Sequence, residues 1–213
     1  MTIDVVVVGA GGFGRETLDV LEAMQAASPG LLRVLGVVDD HPSVRNRELL
    51  ADRTAALLGP ISALEAMAPT TRYLIGIGSP SVRARIEERL RVQGRAAFSA
   101  VHPSAVIGTR STIGDGSVIC AGVQVSTNVY LGRHTHLNAA SVIGHDSVLD
   151  DFVSVNPAAV VSGDVRIGTE TLVGANATVL QGLSVGDNVV VGASACVVSD
   201  VKPGLVVRGV PAR

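Results

Sequence analysis

From Ile107 to Val197 every sixth residue is aliphatic, without a slip: Ile107, Ile113, Ile119, Val125, Leu131, Leu137, Ile143, Leu149, Val155, Val161, Ile167, Val173, Val179, Val185, Val191 and Val197. Glycine follows this position at residues 108, 114, 132, 144, 168, 174, 186 and 192. The slot two before it usually holds a small or β-branched side chain, as at Ala105, Ser111, Ser117, Thr135, Ser141, Ser147 and Thr171. A period of six is neither the roughly 3.6 of an amphipathic helix nor simple strand alternation. It marks short strands joined by regular turns, a hexapeptide β-helix. Three hexads close one triangular coil, so residues 18 apart stack at about the 4.8 Å spacing of neighbouring strands. The period does not set the hand of the coil, and the general chirality of parallel connections favours a right-handed one.

The first half follows another pattern. "DVVVVGAGGFGRETLDVLEAM" reads as a buried strand from Val5 to Val8, a glycine turn, and an amphipathic helix starting near Arg15. Two further apolar strands lie in "RVLGVVDD" and "RYLIGIGSP", the latter followed by a helix from Val82 to Val92. We therefore expect an α/β Rossmann-like domain over residues 1–98 and an all-β domain of hexapeptide repeats over residues 99–213.

Gly9, Gly11 and Gly14 match G-x-G-x-x-G between a strand and a helix, where glycines allow a tight turn and close approach of a ligand to free helix N–H groups. Asp39 and Asp40 end the second strand, where a carboxylate accepts hydrogen bonds from a ribose or a base. Gly76, Gly78 and Ser79 close the third. A half of about 95 residues has room for one mononucleotide-binding unit, so a nucleoside diphosphate fits better than a nicotinamide dinucleotide. A helix merely packed close to a strand would need the same glycines, and that reading stays open.

Composition narrows the function classes. With no Trp, two Tyr and three Phe, the chain suits tightly stacked short strands rather than aromatic platforms. Its net charge of −2 gives no footprint for nucleic acid or for an anionic membrane. No apolar run approaches the roughly 18 residues of a membrane span, and the N-terminus lacks a signal-peptide layout, so we expect a cytoplasmic protein without membrane insertion. Cys120 and Cys196 are 76 residues apart, about four coils or roughly 19 Å, beyond the roughly 7 Å Cα limit of a disulfide. The outward column Val142, Val160, Thr178 and Cys196 is apolar enough to suggest a subunit interface.

The stretches "VVVVGAGGFGRE", "HPSAVIG" and "SVIGHD", with the closing "VGANATVLQGLSVGDNVVVGASACVVSDVKPGLVVRGVPAR", resemble the sialic acid O-acetyltransferase family, which includes bacterial UDP-4-amino-sugar N-acetyltransferases. The resemblance spans essentially the whole chain. It implies a left-handed β-helix, a homotrimer, and acetyl-CoA bound along the β-helix between neighbouring subunits; from the residues themselves we expect no metal. It also implies a sugar or nucleotide-sugar acceptor held partly by the N-terminal domain. By the same resemblance His145 is the general base, Asp146 the carboxylate beside it, and Gly163 the glycine whose amide faces the thioester carbonyl. Gly9, Gly14, Asp39 and Asp40 correspond to the nucleotide end and Gly78 and Ser79 to the loop beside it, while Gly174 and Ala193, by their stacking and small side chains, are expected toward the acetyl-CoA cleft. Relatives commonly have Asn at position 79 and a second histidine at position 154, where this chain has serines.

The 18-residue map places Gly163 directly above His145, so a base and an unhindered amide face one carbonyl, as acyl transfer from a thioester needs. It also places Ser154 over His136, which suggests that His136 takes over part of the missing histidine's role; alternatively, serine leaves room for a different acceptor or a larger acyl group. Asn138 either orients the base or acceptor, or joins an amide ladder at a corner. These residues lead us to expect N-acetylation of an amino-sugar nucleotide, with O-acetylation of sialic acid or another sugar hydroxyl as the alternative. Two readings from other classes remain: a non-catalytic sugar-nucleotide scaffold, and a β-helix carbonic anhydrase using His134 and His136, which point to one outer side of a strand. The latter needs a third well-placed imidazole. His41 and His102 fall in loops.

Overall fold

The computed structural model describes residues 2–53 and 55–213. The N-terminal unit runs β1 (Ile3–Val8), α1 (Gly12–Ala27), β2 (Leu32–Val38), α2 (Val44–Ala51), β3 (Leu57–Gly59), a short 3-10 helix (Ile61–Ala66), β4 (Arg72–Ile75) and α3 (Pro80–Val92). The four strands are parallel in the order β3-β2-β1-β4. Because β1 through β3 grow to one side and β4 returns to the other, the order reverses between β1 and β4. In a parallel α/β sheet that is where a crevice opens at the carboxyl ends of the strands. Val5, Val6, Val7 and Val8 are fully buried, as expected for a strand covered on both faces.

Both expected helices begin earlier than the pattern suggested. Gly11 is the extended N-cap of α1, so the helix starts at Gly12 rather than near Arg15. α3 starts at Pro80 rather than Val82, because proline's fixed φ suits the first helical position.

The second unit is a β-helix of left-handed class. Sixteen two-residue strands, from Val106–Ile107 to Cys196–Val197, each end on one of the sixfold aliphatic positions, and Ala100–Val101 and Val206–Val207 extend the stack at its two ends. They form three parallel sheets, here called faces. The first face contains His136–Leu137, Ser154–Val155 and Leu172–Val173; the second contains Val142–Ile143 and Val160–Val161; the third contains Val148–Leu149 and Arg166–Ile167. Registers step by 18 throughout these coils, as in Leu137↔Val155 and Ile143↔Val161. The aliphatic rungs from Ile119 to Val197 and the small slots Ser117, Thr135, Ser141, Ser147 and Thr171 are all buried, while Ile107 and Ile113 at the first coil are partly so. Several of these hydroxyls bond carbonyls of the next coil, among them Ser147 to Ser162 and Thr171 to Gly186, whereas the buried Ser141 Oγ finds no partner among the described residues.

A second period of six runs through the corners. Asn128, His134, Ala140, Asp146, Phe152, Ala158, Asp164, Glu170 and Asn176 all hold φ between 56° and 62°, apart from His134 at 52°. Each turn between faces thus passes through the left-handed region, at a position set by geometry rather than by residue type.

The N-terminal unit docks on the first face. Phe13 packs on His136 with ring centroids 4.6 Å apart. Tyr73 and His134 stack at 6.0 Å, and His134 and Phe152 at 5.4 Å. His134 and His136 do point out of the β-helix as the sequence suggests, but the docked domain covers both, leaving them 1% and 0% exposed.

Candidate active site

His145 sits at the corner between the second and third faces, in the turn after Val142–Ile143. Its Nδ1 lies 2.7 Å from Oδ2 of Asp146. An ionised carboxylate only accepts, so this contact places the proton on Nδ1 and leaves the Nε2 lone pair free. Asp146 is held in turn by Asn128 Nδ2, which donates to its Oδ1 at 2.9 Å from one coil below. The hydrogen bonds from His145 and Asn128 hold the Asp146 carboxyl below its ordinary range. His145 keeps 63% of its side chain exposed, so its free nitrogen is open to a reactant.

Gly163 lies on the next coil against this imidazole. A Cβ there would come within 2.6 Å of Nε2 of His145, so only glycine leaves the ring in place. Its amide N–H makes no hydrogen bond among the described residues, whereas the next amide, that of Asp164, donates to the His145 carbonyl at 2.7 Å. One free base and one free N–H therefore stand side by side. Asn128 was missed in the sequence, although subtracting one coil from Asp146 leads straight to it.

The residues expected at the nucleotide end follow the carboxyl ends of β1, β2 and β4, and they divide by role. A Cβ at Gly14 would overlap the carbonyl of Gly9, and Gly9 itself has φ +111°, so these two glycines are required by the packing of α1 on β1. Gly11 and Gly78 have open space where a Cβ would stand, as does Gly12, which the motif reading passed over. Asp39 is engaged within the fold, accepting from the Ala10 amide at 2.8 Å and the His41 amide at 2.8 Å. Asp40 accepts from the Ile61 amide at 2.8 Å and faces Arg89 at 3.4 Å. Arg15, also unforeseen, braces the glycine turn by donating to the Ala10 carbonyl at 3.0 Å and to Asn46 at 2.9 Å. Ser79 is the N-cap of α3, with no side-chain capping bond and with its side chain exposed.

The idea that His136 supplies a reacting group in place of a histidine at 154 fails on burial. His136 is 0% exposed under Phe13, and burial, then Arg83 and His134, push its pKa well down. Nor does Ser154 leave room for an acyl group or acceptor: it is buried, and its Oγ accepts from Nη2 of Arg83 at 2.9 Å. The imidazole pair proposed as zinc ligands is likewise enclosed, and among the described residues no three His, Cys, Asp or Glu side chains converge as a metal-holding group. Asn138 joins the amide ladder, donating to the Val155 carbonyl at 3.0 Å and to Asn156 at 3.3 Å, away from His145. Gly174 and Ala193 stack at the corner between the first and second faces, where a Cβ on Gly174 would lie 2.6 Å from the Ala193 amide nitrogen. They do not share a corner with Gly163. Both cysteines are free, and burial pushes the Cys120 thiol up to about 12.

Residues 4–90 match the PglD N-terminal domain, and residues 104–133 and 164–197 match the hexapeptide repeat of succinyl-transferase. The chain belongs to the left-handed β-helix proteins of hexapeptide repeats that carry a PglD N-terminal domain. A curated relative, GDP-perosamine N-acetyltransferase of Escherichia coli O157:H7, is 30% identical over 149 residues, covering 68% of this chain. The matched segment spans 64% of that relative's length. Among solved structures, PerB from Caulobacter crescentus in complex with CoA and GDP-perosamine superposes with a TM-score of 0.87 at 27% identity, covering 99% of this chain and 96% of that one. The acetyltransferase domain of PglB from Neisseria gonorrhoeae in complex with acetyl coenzyme A gives 0.86 at 28% identity, covering 100% and 99%. No helix among the described residues is long and apolar enough to cross a membrane.

Proposed function

We propose that this protein is an acetyl-CoA-dependent acetyltransferase that N-acetylates an amino sugar carried on a nucleotide, with His145 as general base. The observation that carries this reading is the free Nε2 of His145, oriented by Asp146, beside the unpaired N–H of Gly163. The thioester supplies an activated acetyl group. His145 takes a proton from the acceptor amine as its nitrogen attacks the thioester carbonyl, the Gly163 N–H stabilises the developing oxyanion, and the imidazolium returns a proton to the departing thiolate. Asp146 steadies the imidazolium while it carries the charge.

The nucleotide reading rests on the open backbone at Gly11, Gly12 and Gly78, at the reversal point of the sheet. It is supported by the nucleotide sugar named with PerB and by the relative's own name. The working form is a cytoplasmic homotrimer. In a single chain the second face separates two groups: His145, Asp146 and Gly163 on one corner, and the crevice, Gly174 and Ala193 toward the other. That face carries the half-buried column Val142, Val160, Thr178 and Cys196. Packing it about a threefold axis brings the base of one copy to the crevice and cleft of the next, and covers an imidazole that is 63% exposed in the lone chain.

A thiol-release screen with acetyl-CoA against GDP-, UDP- and dTDP-linked amino sugars and free sialic acid tests the reading. Turnover with an amino-sugar nucleotide is expected. Turnover with sialic acid alone would move the protein to O-acetylation, and no CoA release with any acceptor would overturn the assignment.

A further inference from the structure

Arg83 is the largest side chain in the molecule with no exposure, and nothing in the acetyl-transfer chemistry uses it. Its guanidinium spans the two domains. On one side Nη1 donates to the carbonyls of Ile77 at 2.9 Å and Gly78 at 3.3 Å, in the loop between β4 and α3. On the other, Nε donates to the His134 carbonyl at 2.9 Å, and Nη2 donates to the Phe152 carbonyl at 2.7 Å and Ser154 Oγ at 2.9 Å, with the Val153 carbonyl at 3.4 Å. Burial pushes its pKa down to about 9, which still leaves it charged at neutral pH.

A buried cation is costly, and no carboxylate forms an ion pair with this one among the described residues. If adhesion of the domains were the only requirement, an apolar side chain of the same length would meet it at lower cost. What the guanidinium adds is geometry: a rigid fork of five donors fixes several acceptors relative to one another. The acceptors it gathers are two carbonyls of the crevice loop and groups on two successive coils, His134 and Phe152 standing 18 residues apart. Gly78 and Ser79 are exposed, and Gly78 has open space over its Cα, so beyond the packing of Ile77 on the N-terminal core this loop has little else to hold it. Its remaining tie to the β-helix is weak, from Ser154 Oγ to the Gly78 carbonyl at 3.4 Å.

We infer that Arg83 is the positioning residue that holds the Ile77–Ser79 loop in register with the β-helix, so that affinity for a nucleoside diphosphate in the crevice depends on its fork. Ser154 is part of the same device: at this position a small hydroxyl, rather than an imidazole, accepts from Nη2 and leaves the guanidinium its space. The inference rests on the crevice being a nucleotide site, and the experiment separates the two ideas.

GDP, UDP and dTDP are titrated into wild type, Arg83→Lys, Arg83→Met and Ser154→Ala, with CoA as the second ligand and thermal melting alongside. Wild type is expected to bind at least one of the diphosphates. Arg83→Lys keeps the charge but not the fork, and is expected to lose tenfold or more in diphosphate affinity while CoA affinity stays within about threefold. Arg83→Met should behave alike. Diphosphate and CoA affinities falling together, or neither falling, would show a merely structural arginine and overturn the inference. Should neither Arg83 variant fold, Ser154→Ala decides: a drop of about two- to fivefold for the diphosphate alone supports the inference, and unchanged binding overturns it. If wild type binds none of the three, the nucleotide reading of the crevice fails and the role of Arg83 with it.

Discussion

The imidazole of His145 is clasped between two backbone turns: Asp146 Oδ2 lies 2.7 Å from its Nδ1, and the Cα of Gly163, one coil on, faces its Nε2 so closely that a Cβ would stand 2.6 Å away. The two contacts fix opposite ends of one ring. The first sets its tautomer, and the second sets where its free lone pair points relative to an unpaired amide.

Gly163→Ala is therefore a probe of ring position. Gly163 is not among the positive-φ residues, so alanine suits its backbone, and the atoms displaced are the mobile end of an exposed side chain. Thermal stability should change little, while acetyl transfer should fall by tenfold or more as the imidazole is pushed off the reacting carbonyl. Thiol-release kinetics beside a melting curve check this, and a variant of normal turnover would mean that the ring does not work from this position.

Removing the base itself should cost more. His145→Ala is expected to lower turnover by roughly 10²-fold to 10⁴-fold, the usual reach of general-base catalysis. The imidazole is 63% exposed and buries little, so the fold should persist. Near wild-type turnover by a folded variant would remove His145 from the mechanism.

Asn128 acts one step back from the chemistry, through Asp146. Its φ is +58°, a conformation that strains alanine, so Asn128→Gly is the clean deletion. The loss of one hydrogen bond to the Asp146 carboxylate should reduce turnover by about threefold to tenfold and leave the KM for acetyl-CoA unchanged, because the carboxylate still faces the ring. An unaltered kcat would show that Asp146 needs no second anchor.

What could be read from the chain, and what could not, follows from which physical pattern each residue belongs to. The rungs from Ile107 to Val197 advertise themselves because burial demands aliphatic side chains at a fixed period, and the register of 18 then brings Gly163 over His145 before any coordinate is known. The corner period carries no such composition: Asn128, Asp146, Phe152 and Ala158 share one left-handed conformation with nothing in common as side chains. Contacts between the two domains obey neither rule. Nothing in "VRARIEERLR" sets Arg83 apart from the other charges around it, and His136 reads as an outward residue free to react. Both are buried only because the N-terminal unit docks on the first face, a long-range event with no local signal.

That same docking makes the fold sensitive to acid. Burial, followed by Arg83 and Arg133, pushes the His134 pKa down to about 3 against the pull of Asp151; burial, Arg83 and His134 push His136 well below its ordinary value, with the Ile75 backbone opposing. Unfolded chains take up a proton at each histidine near pH 6.5, and the folded protein does not, so stability is complete above that pH and falls as the pH drops through it. For His134 the loss continues down to about pH 3. Between pH 7.5 and 5.0 His134 should cost about 2 kcal/mol of unfolding free energy, and His136 should add to the loss in the same direction. His136→Phe keeps an apolar ring against Phe13 and removes one titrating group, so the variant should lose less over the same interval. Urea denaturation of wild type and variant at the two pH values measures both quantities. Equal losses in the two proteins would mean that His136 already takes up its proton in the folded state, beneath Phe13, and that the docked face is less closed to water than its burial implies.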